Sequence, residues 1–339
     1  MPESAITPPG WVFAVVWPVL YACLGLALAM VLHARGAKGR CANAVIRAKD
    51  LSEDAGITRG GDRAARGRAI AHAAGDRRAD EQGRLARALD AAKPDLVVNA
   101  AAYTAVDRAE SEPDAAFAIN ARAVGEMAEQ VASAGAGLLH YSTDYVFDGS
   151  GQRRWQEDDV TGPLNVYGRS KLEGERRALA VAQKFQSPCW IIRTSWVYSP
   201  SGRNFLTTIL RLARERTSLA VVDDQVGAPT STRLLARVSA ALLKRRPESG
   251  LYHLAPRGET SWFGFACCLL EAAGGASRGF LEVEAVEAVP SSNFPQIAAR
   301  PGNSRLGCDK ICRALNIDLP NWTEDVQWAT KQAVTSIAA

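Results

Sequence analysis

Two neighbouring stretches, HYSTDYVFDG at residues 140–149 and NVYGRSKLEGE at residues 165–175, decide the fold class of this 339-residue chain. The first has the pattern of a strand that runs into a polar loop, and the second has that of a helix. Tyr167 and Lys171 are four residues apart and therefore share one helix face. An ammonium group beside a phenol lowers a pKa that is otherwise near 10, which makes the tyrosine a usable general acid. By itself, the YxxxK pattern favours an exposed aromatic ring and a solvated lysine.

The end of the preceding strand adds three polar side chains, Ser142, Thr143 and Asp144. A hydroxyl group at this place can hydrogen-bond a substrate carbonyl and align it against the tyrosine. The alternative is an ST-turn that caps the strand. A strand, then hydroxyl groups, then YxxxK in this order indicates a catalytic site more sharply than either part alone.

Helix and strand patterns alternate from Asp80 onwards. The helical stretches are DEQGRLARALDAAKPD, DAAFAINARAVGEMAEQVASAGA and YGRSKLEGERRALAVAQ, and the strand stretches are LVVNAAAY, GLLHYSTDYVFDG and CWIIRTSWVY. This alternation predicts βαβ units, and therefore an α/β fold with a parallel sheet. Ligands bind at the carboxyl ends of such strands. The polar clusters NAAAYT, STD and RTSW lie there and mark the expected site.

Residues from about 80 to 335 resemble the extended short-chain dehydrogenase/reductases, and among them the dTDP-4-dehydrorhamnose reductase family. The stretches that carry the resemblance are PDLVVNAAAYTAVDRAE, AINARAV, YSTDYVFDG, NVYGRSKLEGE, RTSWVYSPSGRNF, VVDDQVGAPTST, GLYHLA and ARPGNSRL. The resemblance implies a Rossmann-like doubly wound sheet with a smaller C-terminal substrate subdomain, built mainly from residues 199–235 and 275–335. It also implies reduction of the C4 ketone of a dTDP-4-dehydro-6-deoxyhexose to dTDP-L-rhamnose, a precursor of cell-wall and O-antigen polysaccharide. It implies NADPH, or NADH, as the cofactor and a nucleotide sugar as the small-molecule partner. Some relatives are homodimers with a bound Mg²⁺ ion, whose ligands do not map onto this sequence.

The resemblance also implies residue roles. Thr143, Tyr167 and Lys171 match the family's catalytic residues: the tyrosine protonates the C4 oxygen, the lysine holds the nicotinamide ribose, and the threonine orients the ketone. Asp144 and Trp196 match substrate contacts, although core packing explains Trp196 equally well. The positions that match the cofactor-binding turn are Ala101, Ala102, Tyr103 and Thr104; simple packing at the strand end is the alternative.

Further positions match the region around the sugar nucleotide. Asp224, Gln225 and Pro229 match a loop that faces it. The resemblance implies that Arg300 faces a diphosphate. A surface salt bridge is an equally good interpretation of this residue.

The N-terminal 40 residues have a different character. No charged residue occurs from Trp11 to Leu32, a length sufficient for a tilted membrane helix, and Arg35, Lys38 and Arg40 follow it. PPGWVFAVVWPVLYACLGLALAM, from residue 8, resembles part of the TspO/MBR membrane proteins. We therefore expect a membrane helix within residues 8–32, with the downstream chain in the cytoplasm; a helix buried in a protein core is the alternative. Residues 41–79 show no persistent apolar pattern and are expected to be irregular.

The expected glycine-rich turn is the main departure from the family. A GxxGxxG motif is expected near residues 40–50, and Gly56, Gly60, Gly61 and Gly67 have the wrong spacing. The sequence therefore predicts a reductase that lacks its first βαβ unit and has weakened cofactor binding, as a chimera or a shifted reading frame would produce. Two rival functions stay open: a non-catalytic nucleotide-sugar or regulatory subunit on the same fold, and a membrane-tethered interaction protein.

Composition excludes other classes. The net charge is only +4, and Lys and Arg are scattered, which argues against a nucleic-acid partner. The seven cysteines form no CxxC pair and have no histidine at ligand spacing, so no metal site is expected. Their odd number suits reduced thiols in the cytosol.

Overall fold

The computed structural model describes residue 89 and residues 94–338, apart from residues 277, 278 and 280. The membrane helix expected within 8–32 and the irregular segment expected at 41–79 lie outside these residues, as does most of the helix expected from Asp80. In the described part, no helix has both the length and the apolar character that crossing a bilayer requires.

The strands and helices follow the predicted alternation. The strands are β1 (Leu96–Asn99), β2 (Gly137–Thr143), β3 (Cys189–Thr194), β4 (Val197–Tyr198), β5 (Ser218–Val222), β6 (Val226–Gly227), β7 (Thr230–Ser231), β8 (Gly250–His253), β9 (Thr260–Ser261) and β10 (Ala285–Val289). The helices are α1 (Val106–Ser111), α2 (Pro113–Phe117), α3 (Ala123–Ser133), α4 (Val166–Phe185), α5 (Phe205–Glu215), α6 (Thr232–Arg245), α7 (Trp262–Ala276), α8 (Asp309–Leu315) and α9 (Trp322–Ala338). A π-helical turn (Ala118–Arg122) joins α2 to α3.

A parallel sheet in the order β1-β2-β3-β8 forms the centre of the molecule. Every residue of β2 and β3 is buried, because helices cover both faces of the sheet. Leu139 and Ile192 pack on one face against α6 and α8. Leu138 and Ile191 pack on the other face against α3 and α4. The predicted α/β fold with a Rossmann-like parallel sheet is confirmed.

A second hydrophobic cluster lies beyond the sheet and contains α5, α7, α9 and the parallel pair β5-β10. Its boundaries differ from the ranges 199–235 and 275–335 that the sequence suggested for the substrate subdomain. Helix α7 belongs to this cluster, since Phe265 and Leu269 are buried in it. Helices α6 and α8 pack on the main sheet instead, through residues such as Leu234 and Ile311.

Candidate active site

A small cavity of about 90 Å³ lies at the carboxyl ends of the central strands. The parallel register brings the ends of β2 and β3 together, with Thr143 opposite Thr194. The residues that line the cavity are Thr104, Val106, Ser142, Thr143, Asp144, Tyr145, Tyr167, Thr194, Trp196, Val197, Asn204, Phe205 and Trp262. The structure thus brings together six residues singled out in the sequence: Thr104, Ser142, Thr143, Asp144, Tyr167 and Trp196.

The first turn of α4 places Tyr167 in this cavity. Asn165 caps the helix by accepting a hydrogen bond from the Gly168 N–H at 2.8 Å, and its side-chain amide donates to the Ala299 carbonyl at 2.8 Å. Gly168 has no side chain to separate the helix from the carbonyl oxygen of Tyr145, which a Cβ would overlap. This close approach sets the Tyr167 ring edge-on to Tyr145, with 5.6 Å between ring centroids.

Thr143 links the polar groups at the centre of the cavity. Its Oγ1 donates to Asp144 Oδ1 at 3.0 Å and accepts from the Tyr145 N–H at 3.2 Å. A hydroxyl has one proton and two lone pairs, so Thr143 can accept one further hydrogen bond. Tyr167 lines the same cavity, and Thr143 is among the groups that shift the pKa of its phenol.

Burial governs the pKa values of Asp144 and Tyr167. It raises the pKa of Asp144 to about 6, with hydrogen bonds from Ser304 and Thr143 acting in the opposite direction. Burial also raises the pKa of Tyr167, and the Thr143 hydrogen bond opposes this.

Lys171 lies differently from the sequence-based expectation. It is 1 % exposed, and its Nζ donates to the Tyr141 carbonyl at 2.7 Å and lies 3.2 Å from His140 Nε2. The groups that shift the pKa of Tyr167 are Thr143, Asp144 and Tyr145, together with burial. The lysine amine is bound to β2 in this structure and is not among these groups, so the lowering of this pKa by a Lys171 ammonium stays a prediction.

The turn after β1 is tied to both α4 and the π-helical turn. Asn120 lies in the π turn, accepts from the Tyr103 N–H at 2.8 Å, and donates to the Tyr103 carbonyl and to Ser170 Oγ, each at 3.0 Å. The Ala101 N–H donates to Asn99 Oδ1 at 3.0 Å. The Tyr103 hydroxyl donates to Glu112 at 2.8 Å, and burial followed by this bond raises its pKa to about 12. These bonds fix residues 101–104, the predicted cofactor turn, beside the cavity.

Trp196 adopts a backbone conformation that is rare for its residue type, with φ of 51°. Its ring stacks on Trp262, with centroids 3.7 Å apart. The Trp196 ring also contacts Gly227, where an added Cβ would lie 2.9 Å from the ring. Both interpretations of Trp196 thus have support, since the ring is packed and also lines the cavity. Strained residues of this kind cluster at functional sites.

A larger cavity of about 1010 Å³ adjoins the small one and shares Tyr145, Phe205 and Trp262 with it. Gln225 lines it and accepts from Trp262 Nε1 at 3.2 Å. Arg300 also lines it, is only 5 % exposed as a side chain, and pairs with Asp107 at 2.7 Å. The salt bridge considered for Arg300 exists, but it is buried rather than on the surface.

The other two residues predicted in the sugar-nucleotide loop contribute less directly. Asp224 accepts from the backbone N–H and the hydroxyl of Ser291, each at 2.9 Å, and so anchors one wall of the larger cavity. Pro229 is buried and lines neither of the two cavities.

Several site residues were not singled out by the sequence patterns. Tyr145 follows the STD cluster directly, so its position signalled a role, whereas Trp262 and Phe205 come from distant elements.

Among the described residues, neither Ser142 Oγ nor Thr194 Oγ1 has a hydrogen-bond partner, and both residues line the small cavity. Buried, unpaired hydroxyls at a cavity indicate a ligand that supplies the missing partners.

The described residues contain no cluster of three or more His, Cys, Asp or Glu side chains that could hold a metal ion. The Mg²⁺ ion of some relatives therefore has no candidate site in this part of the chain. Cys189, Cys267, Cys268, Cys308 and Cys312 are free thiols.

Comparisons with known proteins agree with this geometry. The model of the RmlD substrate binding domain family matches residues 36–335, and that of the TspO/MBR family matches residues 2–48. The dTDP-4-dehydrorhamnose reductase of Salmonella typhimurium is 47 % identical over 234 residues, which are 68 % of this chain and 77 % of the relative. The enzyme of the same name from Escherichia coli K12 is 43 % identical over 258 residues, 75 % of this chain and 85 % of the relative.

Solved structures give the same result. A dTDP-4-dehydrorhamnose reductase from Bacillus anthracis, crystallised in complex with NADP, has a TM-score of 0.66 and 33 % identity, and the match covers 73 % of this chain and 84 % of that one. A reductase from Clostridium acetobutylicum has a TM-score of 0.66 and 34 % identity, covering 75 % and 85 %.

The family match begins earlier than the sequence patterns indicated. It starts at residue 36 rather than near Asp80. Gly36 and Gly39 are three residues apart, and Ala42 follows at the same interval, which is the spacing of the glycine-rich turn with alanine in its last position. The glycine-rich turn expected near residues 40–50 therefore has a candidate that begins a few residues earlier. These residues lie outside the described part of the chain.

Proposed function

The chain belongs to the RmlD substrate binding domain family, the family of the dTDP-4-dehydrorhamnose reductases, and we propose from this that it reduces the C4 ketone of dTDP-4-dehydro-6-deoxy-L-mannose to dTDP-L-rhamnose with NADPH. The observation that carries the proposal is the meeting of Tyr167, Thr143 and Asp144 in one cavity, where Thr143 donates a hydrogen bond to Asp144. A reductase of this kind needs a proton donor beside the ketone oxygen, and Tyr167 occupies that place.

Tyr167 is the proposed proton donor. Its ring lines the same cavity as Thr143, and its hydroxyl would donate to the ketone oxygen of a sugar bound there. Thr143 keeps its own proton directed to Asp144 while Asp144 is ionised. The Thr143 lone pairs then face Tyr167 and the substrate, which holds the phenol in place. General acid catalysis of this type contributes about 10²–10⁴-fold to the rate.

The described residues fit the nicotinamide half of the cofactor. The turn at Ala101 and Ala102 has small side chains that allow a close approach, and Ser142 and Thr194 present unpaired hydroxyls nearby. When bound, NADPH supplies the hydride that adds to C4. Tyr103, Thr104 and Lys171 are the further residues proposed to hold it. The Gly36–Gly39 pair is the candidate for the pyrophosphate turn.

The larger cavity is the proposed site of the dTDP group. Its volume of about 1010 Å³ suits a nucleoside diphosphate, and it opens towards the catalytic residues through Tyr145 and Trp262. Two arginines line this cavity, Arg216 and Arg300, and the buried Arg300 is the cation proposed for the diphosphate. Gln225 offers an amide to the base or sugar. Trp196 and Asp144 are the proposed contacts to the deoxyhexose.

The cellular setting is part of the same proposal. The substrate and the cofactor are both multiply charged and do not cross membranes, which places the reductase portion in the cytoplasm. Residues 8–32 would tether it to the inner membrane, and support for this rests on the apolar sequence and the TspO/MBR match. A homodimer is proposed from the family resemblance alone. A chain that leaves the membrane fraction completely in a high-salt wash would exclude the tether.

The experiment that tests the function measures NADPH oxidation by the full chain with dTDP-4-dehydrorhamnose. We expect turnover by the wild type and a loss of about 10²–10⁴-fold in kcat in the Tyr167→Phe variant. Tyr252→Phe is the matched control, since its hydroxyl donates to the Glu248 carbonyl away from the cavity and its loss leaves kcat unchanged. Binding of the nucleotide sugar without any turnover would instead favour the non-catalytic subunit.

A further inference from the structure

Three polar side chains from three different elements meet beneath the catalytic cavity. Asn99 ends β1, His140 lies in the middle of β2, and Lys171 lies on α4. All three are buried: Asn99 is 4 % exposed, His140 0 % and Lys171 1 %. Asn99 Nδ2 is 3.0 Å from His140 Nδ1, and His140 Nε2 is 3.2 Å from Lys171 Nζ. The imidazole thus connects the amide to the amine.

The direction of the hydrogen bonds that join Asn99, His140 and Lys171 follows from one backbone group. The Ala101 N–H can only donate, and it lies 3.0 Å from Asn99 Oδ1, so the Asn99 amide must turn its nitrogen to His140. An amide nitrogen donates, and His140 Nδ1 therefore accepts and carries no proton. The neutral imidazole then has its proton on Nε2 and donates it towards Lys171.

An ammonium group has three donors and no lone pair, so it cannot accept this hydrogen bond. A neutral amine accepts it and still donates to the Tyr141 carbonyl at 2.7 Å. We infer that His140 is a positioning residue for Lys171, whose neutral amine form it favours over the ammonium through the hydrogen bonds that begin at Ala101 and Asn99.

The charges around the lysine agree with this assignment. Glu175 on α4 is the carboxylate that favours the Lys171 ammonium, but both of its oxygens are bound to Arg193 of β3, at 2.9 and 2.7 Å. Burial outweighs the effect of Glu175 and lowers the pKa of Lys171 to about 8. Burial, followed by Lys171, lowers the pKa of His140 well below its usual value. Tyr141 presents only its carbonyl to the amine.

Protonation of Lys171 has a structural consequence at the cofactor turn. An ammonium requires a lone pair on His140 Nε2, which moves the imidazole proton to Nδ1 and turns the Asn99 amide around. The Ala101 N–H then loses its acceptor. The charge of Lys171 is thus coupled to the turn at residues 101–104. The relevance of this coupling to catalysis rests on the proposed reductase function, whereas the tautomer itself does not.

The tautomer can be measured without any activity. The chain has four histidines, His33, His72, His140 and His253, so a long-range ¹H–¹⁵N spectrum of ¹⁵N-histidine-labelled protein has few signals, which single substitutions assign. At pH 9 we expect His140 as the Nε2–H tautomer. A lysine with the usual pKa of about 10.4 would be charged at this pH and would require the Nδ1–H tautomer. His140 in the Nδ1–H or doubly protonated form at pH 9 would overturn the inference.

His253 is an internal control in the same spectrum. It is also 0 % exposed, but its Nδ1 lies 3.1 Å from the Trp155 carbonyl, which can only accept. His253 is therefore expected as the Nδ1–H tautomer. The two buried histidines should show opposite tautomers in one sample.

The positioning role is tested by the pH dependence of kcat/KM between pH 6 and 10. In His140→Gln, the side-chain oxygen can accept from an ammonium, so the midpoint that reports Lys171 is expected to move up by at least about half a pH unit. The matched variant His253→Gln also alters a buried histidine and should keep the wild-type midpoint. Equal midpoints in the two variants would refute the role. Complete inactivity of the wild type would remove the proposed function and leave the tautomer result standing.

Discussion

Asp144 is a carboxyl group whose environment disfavours its charge. The group is buried, and the raised pKa of about 6 compares with an ordinary value of 3.8. A folded-state pKa above that of the unfolded chain means that the folded state binds the proton more tightly. The stability from this group is therefore complete below pH 3.8 and is lost as the pH rises through about 6. At neutral pH the charged carboxylate is retained at a cost in stability, as expected for a functional group.

The Asp144→Asn variant should therefore be more stable than the wild type at pH 8, by about 1–3 kcal/mol, because a pKa difference of one unit corresponds to about 1.4 kcal/mol. The side-chain oxygen of the new asparagine can still accept from Thr143. At pH 4 the advantage should disappear, since the wild-type carboxyl is then protonated in the folded state. Thermal unfolding at the two pH values measures the difference, and kcat at pH 8 should fall in the same variant.

Asp148→Asn is the control for this prediction. Asp148 is exposed, and the hydrogen bonds from Ser150 lower its pKa rather than raise it. The control should not stabilise the protein at pH 8. An Asp144→Asn variant that is less stable than the wild type at pH 8 would contradict the account of the buried charge.

Helix α4 is the element whose prediction from sequence worked best, and its packing shows why. The expected helix at residues 167–183 agrees with the observed Val166–Phe185, since its cap and apolar positions are local features of the sequence. The helix expected at 114–136 is interrupted by the π turn at Ala118–Arg122, which no local pattern marks. The interruption depends on a tertiary contact, the packing of the Asn120 carbonyl against Gly174 of α4. π turns of this kind are frequent at functional sites.

Gly174→Ala should separate these two elements. A Cβ at this position would overlap the Asn120 carbonyl oxygen, which is backbone and cannot move freely. Helix α4 must shift to make room, at a cost of about 1–3 kcal/mol. Since Asn120 also binds Tyr103 and Ser170, the shift should disturb the cofactor turn and reduce kcat/KM in addition to stability.

Gly274→Ala is the matched helical control for this substitution. No atom lies within 4 Å of a Cβ added at Gly274, which lies in α7. The substitution should stabilise the protein by about 0.5–1 kcal/mol, because alanine loses less conformational entropy in a helix. Urea unfolding compares the two variants, and a Gly174→Ala protein as stable as the Gly274→Ala protein would disprove the close contact.

At the scale of the whole molecule, the sequence predicted the sheet and the position of the site, and it failed on contacts between distant segments. The strands β2 and β3 are continuous apolar runs, so their burial and the polar residues at their ends could be predicted locally. The orientation of Lys171 could not, because it depends on His140 and Asn99, 31 and 72 residues away along the chain. The place of α7 in the second cluster likewise depends on α5 and α9. Periodicity alone does not encode such pairings.

The ion pair of Arg300 with Asp107 joins α1 of the main sheet unit to the wall of the large cavity, across 193 residues of sequence. Asp107 also accepts from the Ala298 N–H at 3.1 Å, so the loop is held at two points. The side chains of Arg300 and Asp107 are only 5 % and 18 % exposed. Removal of either one would therefore leave a largely buried charge without its partner. Removal of one partner of such a pair costs about 3–5 kcal/mol.

A double-mutant cycle of Asp107→Asn and Arg300→Met should therefore show a coupling of about 1–3 kcal/mol in the free energy of unfolding. The exposed pair of Arg211 and Glu215, 2.8 Å apart with side chains 52 % and 50 % exposed, is the matched control and should couple by less than about 0.5 kcal/mol. Arg300→Met should in addition raise KM for the nucleotide sugar about tenfold with a smaller change in kcat, because the guanidinium is proposed to bind the diphosphate and not the reacting ketone. Additive effects in the first cycle would show that the Arg300–Asp107 pair does not hold the loop to α1.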